Sequence, residues 1–431
     1  MAAETKQHAA TARGLAVRVL ERVERDGAYA AAALDAELDR HPQLDPRDRG
    51  LVSELVYGVL RTRGALERRL LEHAPRGVSD RLVRLHLLVA AYQLLLLDRV
   101  PAWAAVDEAI GEIRRARGGR VAGFGNAVLR KVAAGPRLEL AAAVRESAPA
   151  WLTDKLDGLL SADETDALLG AGVPLGRVWG RAVTGRPEPG WLAAAERHRA
   201  SPLARLLPSG DPEKVEGYVE GAFVVQEPGA QLIALALDVK PGERVLDACA
   251  GRGQKTTLLV EAATPSGEVW AADAHPKKLA ALARECERLG LAAPESAAVD
   301  WTLGTGDVPG GFDRVLVDAP CTGVGTLRRR PEITGRLVPE DPLRLAELQT
   351  AILRAAASRA RPGGHIIFAV CSPLEEEAEG VLARVADELL PAPFEAPALQ
   401  ALARPGEHSL RLTPLRHETD GYFVASLVRR A

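Results

Sequence analysis

The sequence predicts an α/β protein with an all-helical N-terminal bundle, a small α/β lead-in and a doubly wound α/β domain. From about residue 10 to residue 135, apolar residues recur at helical spacing without strand-like alternation. From Val245 onward, short apolar runs alternate with stretches of helical period, as in a doubly wound sheet. At 431 residues, the chain exceeds the usual size of one hydrophobic core. We therefore expect regions at 1–138, 139–230 and 231–431.

The first region is expected to consist of helix after helix. The apolar face of its opening helix is formed at i, i+3, i+4 spacing by Ala12, Leu15, Ala16, Val19, Leu20 and Val23. Further helices are expected at Ala28–Leu38, Asp48–Arg61, Ala65–Leu71, Ser79–Leu97, Trp103–Arg117 and Gly123–Ala133. This pattern predicts an all-helical domain.

Charge is unevenly distributed along the chain. The net charge is −3, yet residues 1–140 carry 23 Lys and Arg against 18 Asp and Glu. Within them, Arg114, Arg115, Arg117 and Arg120 lie beside glycines and could grip phosphates; a solvated surface without a partner explains this spacing equally well. Any nucleic-acid affinity is therefore expected at the N-terminal end.

The cysteines and the N-terminus indicate the compartment. Cys249, Cys286, Cys321 and Cys371 show no CxxC spacing or disulfide-dense pattern, which favours a reducing environment. No Cys/His cluster has zinc-ligand spacing, so no metal is expected. The N-terminus lacks the apolar core of a signal peptide, and no apolar run approaches a membrane span. We expect a cytoplasmic monomer without a membrane partner.

The lead-in at 139–230 is rich in Pro and Gly and is less informative. Leu175–Val178 and Ala222–Val225 are short apolar pieces that could be strands. Gln226–Gln231 then begins a helix that is expected to run to Leu237.

The third region alternates strands and helices. Strands are expected at Arg244–Leu246, Glu268–Ala272, Ser296–Val299, Arg314–Val317, His365–Val370 and Phe423–Val428. Helices are expected at Gln254–Ala262, Pro276–Leu289, Asp341–Arg359 and Leu374–Leu389. Four strands end on or run into Asp247, Asp273, Asp300 and Asp318, and the next runs into Cys371. Because ligands of such sheets collect beyond the carboxyl ends of the strands, a site is expected there.

The stretch Val245–Thr256 reads as a strand, a glycine turn and the start of a helix, where backbone N–H groups can approach a ligand. A Walker loop is excluded because Gln254 stands where that loop has Gly. A GxGxxG turn is excluded because Thr256 takes the third glycine position. We expect a nucleoside with its ribose and a small charged tail over the turn.

Two carboxylates fit such a ligand. Asp273 lies 20 residues after Gly253, the offset at which a carboxylate accepts ribose hydroxyls. Asp300 could meet the edge of the base. A single acidic residue at the end of a strand is more often a helix cap or a loop residue than a ligand-binding residue. Several acidic residues at successive strand ends around one glycine turn favour a cofactor site.

Two cysteines are expected to face each other. Cys321 and Cys371 follow the fourth and fifth strands, which a crossover helix makes neighbours in the sheet. Cys249 and Cys286 are explained as small buried apolar residues.

These motifs resemble a known family. Asp247–Lys255, Asp318–Cys321 and Val370–Pro373, in that order, are similar to the RNA cytosine-5 methyltransferases that use S-adenosylmethionine. Arg328–Ile333, Leu348–Thr350 and Asp420–Ala425 also match. In the first region, Tyr29–Leu34, Leu51–Leu60 and Gly125–Lys131 resemble the NusB family of RNA-binding bundles. This combination resembles the enzymes that act on 16S ribosomal RNA.

The resemblance implies a Rossmann-like methyltransferase domain with S-adenosylmethionine as cofactor and RNA, expected to be 16S ribosomal RNA, as partner. It implies that Cys371 attacks C6 of cytosine, that Asp318 hydrogen-bonds the base, and that Cys321 assists release. The implied cofactor contacts are Cys249, Ala250, Gly251, Arg252, Gly253, Gln254, Lys255, Asp273, Asp300 and Asp318.

The chain departs from the family pattern in its turn, where Arg252 and Gln254 replace the usual Pro and Gly, and at Val370, where Thr is common. Three alternatives stay open. A DNA cytosine-5 methyltransferase would use Cys321 as nucleophile, a tRNA-directed paralogue would keep the catalytic residues, and a non-catalytic RNA-binding protein would tolerate a degraded turn.

Overall fold

The computed structural model describes residues 11–171 and 176–430. The chain divides into two compact units. The first comprises Met1–Asp154, Thr165–Gly172 and Leu327–Arg336, and the second comprises Lys155–Glu164, Val173–Thr326 and Leu337–Ala431. Residues 139–230 are therefore divided between both units, and the expected boundaries at 138 and 230 stay predictions.

The N-terminal region is helical, as predicted. Up to residue 147, the helices are α1 Ala12–Asp26, α2 Ala30–Asp39, α3 Pro46–Arg61, α4 Arg63–Leu71, α5 Arg81–Leu96, α6 Ala102–Arg117, α7 Gly119–Ala134 and α8 Leu140–Ser147. Side-chain caps fix several starts: Thr11, Asp45 and Asp80 each accept a hydrogen bond from the backbone N–H three residues on. The sequence pattern does not predict three of the later helices, which are α8, α9 Ala150–Leu159 and α10 Ala162–Leu169.

Helix α5 lies at the centre of this bundle and is buried nearly all round. It packs against α1, α3, α6 and α7. Gly58 of α3 lies directly against the ring of Tyr92: a Cβ there would be 2.1 Å from Cζ. Close packing of α3 against α5 therefore explains why glycine occupies position 58.

A ten-residue segment from far along the chain, Leu327–Arg336, belongs to the helical unit. Helix α2 begins after Tyr29, which makes no side-chain cap. Instead, the buried carboxylate of Glu332 accepts the N–H of Ala30 at 3.1 Å. Arg61 donates to the carbonyl of Arg328 at 3.3 Å, and Arg336 donates to that of Ala28 at 2.6 Å. The segment thus completes the N-terminal end of α2.

The second unit contains the predicted α/β sheet. Its strands are β4 Arg244–Asp247, β5 Glu268–Asp273, β6 Glu295–Ala298, β7 Phe312–Asp318, β8 Ala360–Val370, β9 Leu389–Pro391, β10 Ser409–Leu412 and β11 Tyr422–Arg429. The order is β10-β11-β8-β7-β4-β5-β6, with β9 also on β11. The five strands from β8 to β6 are parallel, and β11 runs antiparallel to β8. The fold class is confirmed.

Helices cover both faces of this sheet. Val315 and Val317 of β7 pack into one apolar cluster, and Leu316 between them packs into the other. The helices from α11 on are α11 Gly190–Ala194, α12 Pro228–Ala236, α13 Thr256–Ala263, α14 Pro276–Leu289, α15 Asp341–Ala357, α16 Glu379–Arg384, α17 Pro397–Gln400 and α18 Pro414–His417. The side-chain carboxylate of Glu227 caps α12.

The helix predicted over Leu374–Leu389 is wrong. A 3₁₀ turn at Glu375–Glu377 is followed by the short α16, and Leu389–Pro391 forms β9. Ala378 leaves the helical conformation, with φ −112° and ψ −103°. The buried side chain of Glu377 is held by the preceding loops, and β9 pairs with β11, so tertiary contacts override the helical periodicity. Strands β9 and β10 were not predicted.

A three-stranded antiparallel sheet precedes the large one, with β1 Trp179–Ala182 between β2 Arg205–Leu206 and β3 Phe223–Val225. The strand expected at Ala222–Val225 corresponds to β3. Of the strand expected at Leu175–Val178, Leu175 lies outside the described residues, and Val178 directly precedes β1.

A buried arginine ties this small sheet to the large one. Arg181 of β1 is 1% exposed and forms an ion pair with Glu261 of α13. It also donates to Thr257 and to Gln226, both at 3.0 Å. Burial lowers the pKa of this guanidinium, although Glu261 opposes the shift. A buried charge needs such partners, because an unpaired one is strongly destabilising.

The predicted basic stretch spans the junction of α6 and α7. Arg115 pairs with Glu112, and Arg117 pairs with Asp80 at 2.5 Å. Arg114 and Arg120 are exposed, and neither has an ion pair among the described residues. Within residues 11–171 and 176–430, no helix is both long enough and apolar enough to cross a membrane.

Replacing Arg181 by Ala should lower the free energy of unfolding by about 3–5 kcal/mol, because Glu261 would remain buried without its partner. Chemical denaturation of the purified chain measures this. The double change Arg181→Met with Glu261→Gln is the control and should be less destabilising than Arg181→Ala alone. Equal losses would show that packing, rather than the ion pair, determines stability here.

Candidate active site

The candidate site lies where the strand order of the large sheet reverses. Strand β4 pairs with β5 on one side and with β7 on the other. The turn after β4 and the loop after β7 therefore open at the same sheet edge. In doubly wound sheets, ligands bind at this reversal.

Asp247, at the end of β4, organises the turn. Its carboxylate is buried and accepts the hydroxyl of Thr256 at 2.8 Å and the N–H of Cys249 at 3.3 Å. Burial raises the pKa of this carboxyl to about 6, partly offset by Thr256 and Lys255. On the other side, the indole of Trp301 donates to the carbonyl of Ala248 at 2.7 Å. Both ends of the turn are thus fixed from inside the protein.

The glycines of the turn serve two purposes. Gly251 has φ 57°, and a Cβ there would meet only the carbonyl of Cys249, at 4.0 Å, so the space beside it is open. Gly253 has φ 89°, and a Cβ would lie 2.2 Å from Leu282 of α14. Gly251 therefore leaves room for a ligand, whereas Gly253 allows the turn to pack against α14.

Asp273, at the end of β5, reaches the turn as its position predicts. Its carboxylate accepts the N–H of Gly251 at 3.1 Å and that of His275 at 2.8 Å. Lys278 also forms an ion pair with this carboxylate at 3.5 Å. A carboxylate has about four lone-pair sites on its two oxygens, so it can still accept hydroxyl groups. Asp300 is exposed beyond β6 and accepts the N–H and hydroxyl of Thr302 at 3.0 and 2.6 Å. Its contact with a base stays a prediction.

A glutamine that sequence reasoning missed supports the turn from outside. Gln226 donates to the carbonyl of Gln254 at 2.7 Å, while its own side-chain oxygen accepts from Arg181. Gln226 is the first residue of the Gln226–Gln231 stretch, whose sequence pattern indicates only the start of a helix. The buried network of Arg181 therefore continues into the candidate cofactor turn.

The structure brings Cys321 and Cys371 together. Their sulfur atoms lie 3.1 Å apart, as the adjacency of β7 and β8 predicts. The hydrogen bond with Cys371, together with burial, raises the pKa of Cys321 above its ordinary value. Cys321 therefore holds its proton and can donate it to the sulfur of Cys371.

The other two thiols have different surroundings. Burial and the nearby carboxylates of Asp247, Asp318 and Asp273 raise the pKa of Cys249. Burial also raises the pKa of Cys286 to about 11, and that residue packs in an apolar cluster. Both remain protonated thiols at neutral pH, which makes them poor nucleophiles.

Asp318, at the end of β7, pairs with Lys255 of the turn at 2.5 Å. Burial disfavours the ammonium, but the attraction of Asp318, Asp247 and Cys371 outweighs it and raises the pKa of Lys255. A positive charge therefore lies between the glycine turn and the cysteine pair.

Close backbone contacts fix Cys371. Gly325 donates its N–H to the carbonyl of Cys371 at 2.9 Å and accepts the N–H of Gly421 at 2.8 Å. A Cβ on Gly325 would lie 1.8 Å from the carbonyl oxygen of Gly421. The close packing of the loops that contain Gly325, Cys371 and Gly421 therefore explains why glycine is needed at position 325.

The buried carboxylate of Glu377, also missed from the sequence, joins the two cysteine loops. It accepts the N–H and hydroxyl of Thr322 at 2.8 and 2.5 Å, and the amide of Gln349 at 2.9 Å. Burial raises the pKa of Glu377, against the effect of these donors. Thr322 follows Cys321, and its hydroxyl also contacts Ser372, the residue after Cys371, at 3.2 Å.

A glycine turn after the first parallel strand, a carboxylate at the end of the second and Asp-Ala-Pro-Cys at the end of the fourth form the arrangement expected of an S-adenosylmethionine-dependent RNA methyltransferase. The model of the 16S rRNA methyltransferase RsmB/F family matches residues 234–428, and that of the NusB family matches residues 10–134. The ribosomal RNA small subunit methyltransferase B of Thermus thermophilus is 36% identical over 430 residues, or 98% of each chain. This chain belongs to the RsmB/F methyltransferase family and carries a NusB domain.

Solved structures share the fold. The crystal structure of PH0851 has a TM-score of 0.80 at 24% identity, covering 96% of this chain and 98% of that one. The structure of NSun6 from Pyrococcus horikoshii with SFG has a TM-score of 0.56 at 18% identity, covering 66% of this chain and 98% of that one.

Replacing Glu377 by Ala should lower the free energy of unfolding by about 2–4 kcal/mol, because Thr322 and Gln349 would keep buried donors without an acceptor. Urea denaturation measures this loss. Glu375→Ala, on the exposed side of the same 3₁₀ turn, is the matched control and should change stability by less than about 0.5 kcal/mol. A similar loss in both variants would contradict the role given to Glu377.

Proposed function

We propose that this protein methylates C5 of a cytosine in 16S ribosomal RNA through a covalent bond between Cys371 and C6. The 3.1 Å approach of Cys321 and Cys371 beside the Asp318–Lys255 pair carries the proposal. The name of the Thermus relative and the NusB domain support ribosomal RNA as the substrate.

The residues around the turn fit S-adenosylmethionine. Open space beside Gly251 admits a ligand, and the carboxylate of Asp273 can accept ribose hydroxyls. The remaining predicted contacts, from Cys249 to Lys255 and Asp300, are carried over as part of this proposal. When bound, the cofactor supplies an electrophilic methyl group on a sulfonium.

Cys371 acts as the nucleophile. C5 of cytosine is a poor nucleophile within its aromatic ring, and addition of a thiolate at C6 makes it enamine-like. A thiolate is the reactive form of cysteine, and Cys371 lies close enough to the ammonium of Lys255 to interact with it electrostatically. The cytosine must leave its stack to reach this sulfur.

Asp318 orients the base. Its carboxylate would accept hydrogen bonds from the amino edge of cytosine and so orient the ring for addition. Lys255 holds this carboxylate in place. The pair therefore couples the glycine turn to the position of the substrate.

Cys321 assists release. After C5 has gained its methyl group, the C5 proton must leave to a base, and the C6–S bond must break with its electron pair returning to Cys371. Because Cys321 holds its proton and lies 3.1 Å from that sulfur, it can hydrogen-bond to the departing thiolate.

Incubation with tritiated S-adenosylmethionine and naked 16S RNA, ribosomal subunits or tRNA tests the substrate. Methylcytosine mapped to 16S RNA is the expected result. Label only in tRNA would establish the tRNA-directed alternative, and no label in any RNA would favour a non-catalytic RNA-binding protein.

Replacing Asp273 by Ala should weaken S-adenosylmethionine binding by roughly 1–3 kcal/mol, the loss expected when charge-assisted hydrogen bonds are removed. Titration calorimetry measures the affinity. Glu268→Ala, at the opposite end of β5, is the control and should leave it unchanged. Equal affinity of Asp273→Ala and the native chain would refute this site.

The two cysteines should give different products. Cys371→Ala should form no adduct and transfer no methyl group. Cys321→Ala should attack and methylate, then remain attached to RNA through Cys371. A denaturing gel with labelled RNA detects that species, and peptide mapping locates the bond. An adduct trapped by Cys371→Ala would instead establish the DNA-type arrangement with Cys321 as nucleophile.

A further inference from the structure

An exposed aromatic ring on the helical unit carries two arginines. The side chain of Tyr29, just before α2, is 56% exposed. The guanidinium carbons of Arg330 and Arg336 lie 5.6 and 5.5 Å from the centre of its ring. Cation–π contacts at these distances fix the three planar groups relative to one another. We call Tyr29, Arg330 and Arg336 the Tyr29 cluster.

No carboxylate in the described part of the chain forms an ion pair with the arginines of this cluster. Within residues 11–171 and 176–430, Arg330 and Arg336 form no ion pair, whereas many other arginines, such as Arg68 and Arg137, pair with a carboxylate. Arg336 donates one N–H to the carbonyl of Ala28 at 2.6 Å, which positions its guanidinium and leaves other donors available. Two oriented positive charges therefore face solvent.

A cavity adjoins the cluster and shares Arg336 with it. Its volume is about 530 Å³, and its walls include Arg63 and the carboxylates of Glu24, Glu67 and Glu332. This volume is within the range of small-molecule sites, and the carboxylates of its walls can accept hydrogen bonds from the amino group of a base. A flexible polyanion that carries aromatic rings would fit these three features. Its rings could stack on Tyr29, its negative charges could bind the two guanidinium groups, and a ring edge could enter the cavity.

We propose that the Tyr29 cluster binds single-stranded RNA, with a base stacked on Tyr29 and backbone phosphates on Arg330 and Arg336. Aromatic rings bind single strands by stacking, and guanidinium groups bind phosphates with forked hydrogen bonds. This inference rests on the proposed function, because the bound RNA would be the substrate that the protein methylates. It assigns a contact surface other than the Arg114–Arg120 stretch.

Salt dependence tests the phosphate contacts. The probe is a fluorescein-labelled single-stranded RNA of mixed sequence, with binding to the full chain measured by anisotropy between 50 and 200 mM salt. Because each phosphate contact on a single strand contributes about 0.7 to the salt slope, Arg330→Gln with Arg336→Gln should reduce the slope by roughly 1.4. Arg68→Gln with Arg137→Gln removes the same charge from exposed ion pairs and should leave the slope unchanged.

The ring is tested separately. Tyr29→Ala should weaken binding of the same RNA by about 5- to 150-fold, the range for loss of one stacked base. Tyr29→Phe keeps the stacking face and should bind like the native chain. Thermal unfolding of each variant shows whether the fold is retained.

Methylation separates this inference from the proposed function. With the substrate RNA, the cluster variants should raise KM and leave kcat at saturating RNA unchanged, because they do not touch the reacting groups. If the native chain methylates cytosine and the cluster variants match the Arg68/Arg137 control in salt slope, the Tyr29 cluster is not an RNA surface. If RNA binding responds as expected but no methylcytosine forms, the cluster stands and the proposed function fails.

Discussion

The buried carboxylate of Glu377 is the contact on which the cysteine site depends most. A buried carboxylate must be paired with donors, and its partners here are Thr322, beside Cys321, and Gln349 of α15. Satisfying that one group therefore fixes the loop of Cys321, while Thr322 reaches Ser372 beside Cys371. Gly325 packs against the backbone of Gly421 and the carbonyl of Cys371 so closely that a Cβ would not fit. The sulfur–sulfur distance is a consequence of these contacts.

The cofactor side of the site follows the same physical rule with different residues. Asp247 is buried and must find donors, so it draws Thr256 and the N–H of Cys249 into a fixed turn. Arg181 is buried and must find acceptors, and through Gln226 its network reaches the carbonyl of Gln254. Polar groups without access to water are restricted to a single arrangement, which is how this sheet edge keeps its turn preorganised.

The helical unit uses a buried carboxylate as well. Glu332 supplies the acceptor that α2 lacks at its start, which places Arg330 and Arg336 around Tyr29. The ten residues that do this lie more than 290 positions after Tyr29 in the sequence. Helix capping and the arrangement of the Tyr29 cluster are therefore a single structural feature, and α2 could not present this surface with its own residues.

The sequence by itself determined the helical and α/β regions, the turn at Gly251 and Gly253, Asp273 and the facing cysteines. Each depends on periodicity, glycine conformation or strand adjacency, which are local or follow from topology. Only the tertiary structure revealed Glu377, Gln226, Arg181 and Glu332, because partners of buried polar groups are chosen across long sequence distances. The same reason explains why the helix expected at Leu374–Leu389 does not form. Its periodicity is helical, but the burial of Glu377 and the pairing of β9 with β11 are long-range contacts that a local sequence pattern cannot show.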